Sequence, residues 1–249
     1  MDIINAQGLA VGYGEETVLS DLTFAVPAER ITAVVGVSGS GKSTLLKTLA
    51  GLLPPVGGGF AFDGRPVDYR SEASLRSLYG KIGVLYQGGA LLNGLTLYEN
   101  VALPIRMQYP RIPEDMVRSM VLASLAQVEL ADSAAKFPSE LSGGMAKRGA
   151  LARALVLDPE VVFCDEPSSG LDPITSSLLD DLLLRLKATF RMTLVVVTHE
   201  LRSIERVADR VLLIDGGHLR YDGEYAGMVA SRDPFIRTFL LRKDSHDDA

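Results

Sequence analysis

Apolar residues follow two rhythms along the chain. Near the N-terminus they alternate. In "DLTFAV", Leu22, Phe24 and Val26 share one face, and "GGGFAFDG" repeats the pattern with Phe60 and Phe62. A period of two predicts half-buried strands. Four other runs are continuously apolar: "ITAVVG" (31–36), "VVFCD" (161–165), "TLVVVT" (193–198) and "VLLID" (211–215). These suit strands buried on both faces of a parallel sheet. Between them the period changes to that of a helix. The pattern predicts one helix over 42–53, stopped before Pro54 and Pro55. A second starts at Pro173 with Asp172 as its N-cap, and carries Leu178, Leu179, Leu182, Leu183 and Leu186 on a core-facing stripe. "EDMVRSMVLASLAQV" sets Val117, Met120, Val121, Leu125 and Val128 at helical spacing, and the pattern from about 91 to 157 is mainly helical. Strand–helix alternation around such a stretch predicts an α/β core with an inserted helical subdomain. The reading is of one domain over 1–241, followed by a charged, frayed tail at 242–249.

Composition narrows the function classes. With 249 residues and 47% apolar content, a substantial core can form. The net charge of -6 argues against a general nucleic-acid-binding surface, so no nucleic acid partner is expected. Cys164 is the one cysteine, which excludes an internal disulfide framework and fits a reducing compartment. Cys164 itself reads as a small buried residue. The start "MDIINAQGLA" lacks the features of a signal peptide, and no run approaches the roughly 18 apolar residues of a membrane span. A soluble protein is expected, able to reach a membrane through a partner. His218 and His246 have no partners at metal-binding spacing. Lys147, Arg148 and Arg153 read as a solvated or interdomain polar face.

The chemistry concentrates in three segments. "GVSGSGKST" (36–44) matches G-x-x-x-x-G-K-[ST] and lies between a strand and a helix. Phosphate oxygens need several inward-pointing N–H groups, and Gly36, Ser38, Gly39, Ser40 and Gly41 bring the backbone close enough. The helix that follows begins with unpaired N–H groups and partial positive charge. Lys42 would reach the β- and γ-phosphates, Ser43 would ligate Mg²⁺, and Thr44 could add a hydroxyl to the α-phosphate. In "VVFCDEP", an apolar strand ends in Asp165, able to hold Mg²⁺ through water, and Glu166, able to polarise the attacking water. In "ELSGGMAKRGALARAL", Ser142 can cap a helix whose first turn holds Gly143 and Gly144, which makes a second anion-binding helix start. By itself that last segment would be an ordinary helix start.

The combination resembles the nucleotide-binding subunit of an ABC transporter over nearly the whole chain. "GVSGSGKST" is similar to Walker A, "LSGGM" to the ABC signature with Met145 where Gln is usual, and "VVFCDE" to Walker B. The resemblance implies a P-loop NTPase (ABC ATPase) α/β core with an antiparallel β-subdomain and an α-helical subdomain. It implies ATP and Mg²⁺ as ligands. Tyr13 resembles the aromatic that stacks on adenine. Gln87 resembles the Q-loop glutamine, which senses Mg²⁺ or water. Asp172, in "SGLDP", resembles the D-loop aspartate facing a second subunit. His199 resembles the switch histidine at the γ-phosphate, and Glu166 the catalytic glutamate.

The same resemblance implies a head-to-tail homodimer and integral membrane permease subunits, with the segment from Gln87 to Pro104 lining the docking groove. "VLYQGGALLNGLTLYENVALPIR", "LSGGMAKR", "GLDPI" and "DPFIRTFL" further resemble ATPases of the Mce/Mla type, which energise lipid movement between membranes. That narrower likeness implies lipid-binding Mce-type and small regulatory subunits, and a peripheral place on the cytoplasmic side of the inner membrane. A transporter ATPase for another substrate, a soluble ABC protein outside transport and a P-loop kinase remain as alternatives. The last leaves "LSGGM" without a role.

Overall fold

The computed structural model describes residues 1–241, and the expected tail at 242–249 lies outside the described residues. The chain divides into two compact units, Met1–Pro66 with Val195 onward, and Val67–Leu194.

The first unit opens with β1 (Asp2–Tyr13), β2 (Glu16–Pro27), β3 (Ile31–Gly36), α1 (Lys42–Leu49), β4 (Gly57–Phe62) and β5 (Arg65–Pro66). An antiparallel sheet runs in the order β2-β1-β4-β5, with Ile4 paired to both Val26 and Phe62. The alternating positions face inward: Leu22 and Val26 are fully enclosed, and Phe24, Phe60 and Phe62 are buried. Helix α1 stops four residues short of the expected end at 53. Gly51 adopts φ 75 directly after the C-cap Ala50. Its N–H donates to Thr48 O and that of Leu52 to Lys47 O, both at 2.9 Å. This left-handed closure ends the helix before the prolines are reached.

The second unit contains α2 (Glu72–Tyr79), β6 (Ile82–Leu85), α3 (Leu97–Gln108), α4 (Glu114–Gln127), α5 (Gly143–Leu155), β7 (Val161–Asp165) and α6 (Pro173–Phe190). Strand β6 lies parallel to β7, from Ile82 opposite Val161 to Leu85 opposite Cys164. Helix α3 begins with a reciprocal cap: the Glu99 N–H donates to Thr96 Oγ1 at 3.2 Å, and the Thr96 N–H to Glu99 Oε2 at 2.7 Å. On α4, Val117, Val121 and Leu125 are fully buried, as is Val128 just after it, while Met120 is only partly so. On α6, Leu179, Leu182, Leu183 and Leu186 are core, but Leu178 is 61% exposed. At about 100° per residue, Leu178 lies about 40° beyond Leu182, outside the arc that Leu179, Leu182, Leu183 and Leu186 share.

Strand β8 (Thr193–Val197) carries the chain back into the first unit at Val195, followed by α7 (Leu201–Val207), β9 (Arg210–Asp215), β10 (His218–Gly223), α8 (Tyr225–Val229) and α9 (Pro234–Leu241). In this unit β9 is parallel to β3, from Thr32 opposite Arg210 to Gly36 opposite Ile214, and β10 is antiparallel to β9. All residues of β3 are buried, in keeping with an unalternating apolar run. Ala33, Val35, Val211 and Leu213 pack with Ile204, Met228, Ile236 and Phe239 into one apolar cluster, which fixes the sheet beneath the loop that follows β3.

Candidate functional site

In the first unit, the β3–α1 loop holds the predicted phosphate cradle. Gly41 is the N-cap of α1 at φ 94, and an added Cβ would come within 2.8 Å of Val18 Cγ1. A Cβ on Gly36 would sit 2.3 Å from Ile214 O on β9. Both conformation and space therefore require glycine at the two ends of the loop. Lys42 is buried and folds back, its Nζ donating to Gly36 O at 3.0 Å and Val37 O at 2.9 Å. The loop thus wraps its own cation. Ser38 and Gly39 form the exposed crest, with Gly39 at φ 78. Ser43 lies on the first turn of α1 half-buried, and Thr44 is buried.

The start of α1 suits an anion. Gly41 supplies no side-chain cap, in contrast with Thr96, Ser142 and Asp172 on their helices. The first-turn amides therefore receive no side-chain oxygen from the cap, the place a phosphate would take. Ser40 Oγ is enclosed without a hydrogen-bond partner, a polar atom a bound phosphate would satisfy. Elsewhere in this unit, Tyr13 ends β1 half exposed, a ring face open to stacking. His199 follows β8, exposed, one residue after the buried Thr198, whose Oγ1 accepts the Glu200 N–H at 3.1 Å.

In the second unit, β7 ends at Asp165, and both Asp165 and Glu166 are buried. Glu166 has φ 49, a left-handed conformation costly for a residue with a Cβ. Its carbonyl accepts the Ser169 N–H at 3.2 Å and also Lys147 Nζ at 3.2 Å. Lys147 is 5% exposed, which corrects the solvated alternative in its reading as part of a solvated or interdomain polar face. Arg153 is also turned inward. It donates to Ala90 O at 2.7 Å and Gly89 O at 3.1 Å, and burial lowers its pKa while the charge of Tyr86 opposes that shift. Arg148 donates to Val128 O at 3.2 Å. Gln87 lies exposed in the loop after β6 that Arg153 holds.

Ser142 is the N-cap of α5, its Oγ accepting the Met145 N–H at 3.3 Å. Its hydroxyl stays exposed, with Gly143 beside it. Asp172 caps α6: Oδ1 accepts the N–H groups of Ile174 and Thr175 at 3.0 Å each, and Oδ2 the Thr175 hydroxyl at 2.5 Å. The Thr175 side chain, then its backbone N–H, hold the Asp172 carboxyl below the usual carboxylate range. A recess of about 340 Å³ opens at these helix starts, lined by Ser142, Gly144, Met145, Leu171, Thr175 and Leu178 among others.

A family model described as ABC transporter matches residues 19–169, more than half of the chain. The chain belongs to the ABC transporter family. This cassette is 38% identical over 237 residues to the probable ribonucleotide transport ATP-binding protein Mkl of Mycobacterium tuberculosis, covering 95% of the chain but only 66% of Mkl. It is 37% identical over 239 residues to the intermembrane phospholipid transport system ATP-binding protein MlaF of Haemophilus influenzae, covering 96% of the chain and 90% of MlaF. It is also similar to the ATP-binding cassette MJ0796, solved as a dimer in a post-hydrolysis state with ADP and Pi, with TM-score 0.79, 28% identity and coverage of 89% and 98%. The α/β P-loop fold expected from the sequence is therefore that of the cassette. Pattern reading gave no role to the Lys147 and Arg153 contacts or to the reciprocal cap of α3. The cap was readable in "TLYE"; nothing local announced the other two.

Proposed function

We propose that this cassette hydrolyses ATP as a head-to-tail pair of copies and drives an integral membrane permease in phospholipid transport between membranes. The observation that carries the reading is the contrast between two helix starts in one chain. That of α1 has a glycine cap and a lysine folded over its loop, whereas that of α5 is serine-capped, glycine-rich and exposed. Each suits a different face of a nucleotide, so two copies facing in opposite senses complete two sites. MJ0796, solved as a dimer with ADP and Pi, supports the pairing of two cassettes.

In the reading, Tyr13 stacks on adenine, and Lys42 with the amides of 36–44 holds the β- and γ-phosphates. The Ser142 hydroxyl and the amides of Gly143 and Gly144 meet the γ-phosphate of the other copy's ATP, and Asp172 lies at the same interface. Glu166 accepts a proton from the attacking water as its oxygen bonds to the γ-phosphorus, and the bond to the ADP oxygen breaks. His199 hydrogen-bonds the γ-phosphate. Ser43, Asp165 and Gln87 offer the hard oxygen donors that Mg²⁺ prefers. Bound there, Mg²⁺ supplies neutralising charge at the phosphate oxygens.

The lipid reading is supported by MlaF, which matches over nearly its full length. The description of Mkl favours a second reading, nucleotide transport. No described helix is long and apolar enough to cross a membrane, and this reading takes the permease to be a separate chain. The cassette works peripherally on the cytoplasmic side, with Mce-type lipid-binding and small regulatory subunits as further partners.

Glu166→Gln tests the mechanism. It should bind ATP, lose nearly all turnover and elute as an ATP-dependent dimer, because the amide cannot take the proton. Ordinary turnover would remove Glu166 from the reaction. Gentle detergent purification should bring down a membrane polypeptide with phospholipid. Bound ribonucleotide cargo in its place would favour the second reading.

A further inference from the structure

Lys147 stands where the helix that begins at Ser142 passes the turn that follows β7. Its Nζ donates to Glu166 O at 3.2 Å and to Ser169 Oγ at 3.3 Å. The Ser169 N–H donates to the same Glu166 oxygen at 3.2 Å. One ammonium therefore holds both ends of the turn from Glu166 to Ser169. That turn needs holding. Glu166 is left-handed at φ 49, and it precedes Pro167, which disfavours helical angles in the residue before it. Such conformations persist only where the surroundings over-determine them. Lys147 is 5% exposed, so its ammonium is enclosed against this turn and has little room to point elsewhere. Charge-assisted hydrogen bonds are about twice as strong as neutral ones, which suits the task.

We propose that Lys147 is a positioning residue for ATP hydrolysis: by clasping the Glu166–Ser169 turn it aims the Glu166 carboxylate, and it ties the direction of the signature helix to that of the catalytic acid. The inference rests on Glu166 being the proton acceptor. A displacement of α5 would pull on the Glu166 carbonyl through one side chain, so engagement of Ser142 and readiness of Glu166 are mechanically linked within one copy.

Steady-state turnover of the full chain tests this with Lys147→Met, which keeps the stem and removes the donors. We expect kcat to fall roughly 10- to 100-fold, the scale of a misplaced catalytic group. KM for ATP should stay within about threefold. Wild-type kcat would overturn the proposal. In a Glu166→Gln background, with residual turnover followed over hours using radiolabelled ATP, Lys147→Met should cause no further loss, because the group it aims has already been disabled. A further loss as large as in the wild-type background would mean that Lys147 acts on the fold generally, and would also overturn it. Normal turnover by Glu166→Gln alone would instead sink the Glu166 assignment. Should Lys147→Met fail to fold, Ser169→Ala, at a half-buried position, carries the test. A kcat lowered a few-fold at unchanged KM supports the clasp, and an unchanged kcat overturns it.

Discussion

Cys164 sits next to Asp165 on β7, fully enclosed, and burial first and the aspartate charge second push its thiol up to about 12. A raised thiol pKa means less thiolate at a given pH, so at pH 8 the thiol stays protonated in the fold. Iodoacetamide at pH 8 should therefore leave the folded chain unlabelled over times that fully label it in urea. Rapid labelling of the folded chain would contradict the burial. The sequence allowed this residue to be read correctly, because a lone cysteine in an apolar strand has few other fates. Lys147 was not legible in the same way. Its surroundings are set by a turn some twenty residues further on, and a lysine in a helix otherwise reads as solvated. Leu178 departs from the expected stripe for a simpler reason: it lies just past the edge of the arc that Leu179, Leu182, Leu183 and Leu186 bury.

Among elements, α3 shows how a buried polar side chain can shape a loop. Asn100 has no exposure, accepts the Leu92 N–H at 2.7 Å, and donates to Leu92 O, Leu95 O and Thr96 O at 3.0–3.1 Å. It folds 92–96 onto the start of α3, beside the Thr96–Glu99 cap. Asn100→Ala would remove the acceptor of the Leu92 N–H and vacate a polar pocket, at a cost of about 1–3 kcal/mol. The check is a lower urea midpoint, and an unchanged midpoint would contradict the assignment. Strands were well marked in the sequence, since unbroken apolar runs and strict alternation are local signals. The end of α1 was less so, because Gly51 decides it while Pro54 and Pro55 are the stronger local stop signal. The loop made by Asn100 was not marked at all. A buried asparagine inside a helix looks like any polar residue until its partners are in place.

For the whole molecule, periodicity reports neighbours in sequence and not which distant strands pair. It marked the helical stretch inside an α/β chain. It could not show that Met1–Pro66 and the chain from Val195 onward form one compact unit while Val67–Leu194 forms another. The paired motifs were legible because phosphate chemistry demands particular residues at fixed spacing. The proposed docking segment, Gln87 to Pro104, yields a test at this scale. Photo-crosslinkers placed along it in the assembled complex should capture a membrane subunit, while probes on the exposed Glu72–Tyr79 helix should capture it far less. Capture from that helix alone would move the docking surface.

The guanidinium of Arg153 grips that segment by the oxygens of Gly89 and Ala90 and by no side chain there. A fastening made only to the main chain is indifferent to what residue 90 is, provided it tolerates the φ of 48 seen at Ala90. On the proposed docking role, the outer face of the loop could change to suit a new membrane companion while the fastening to α5 survives, so one engine could be refitted to different transport machines.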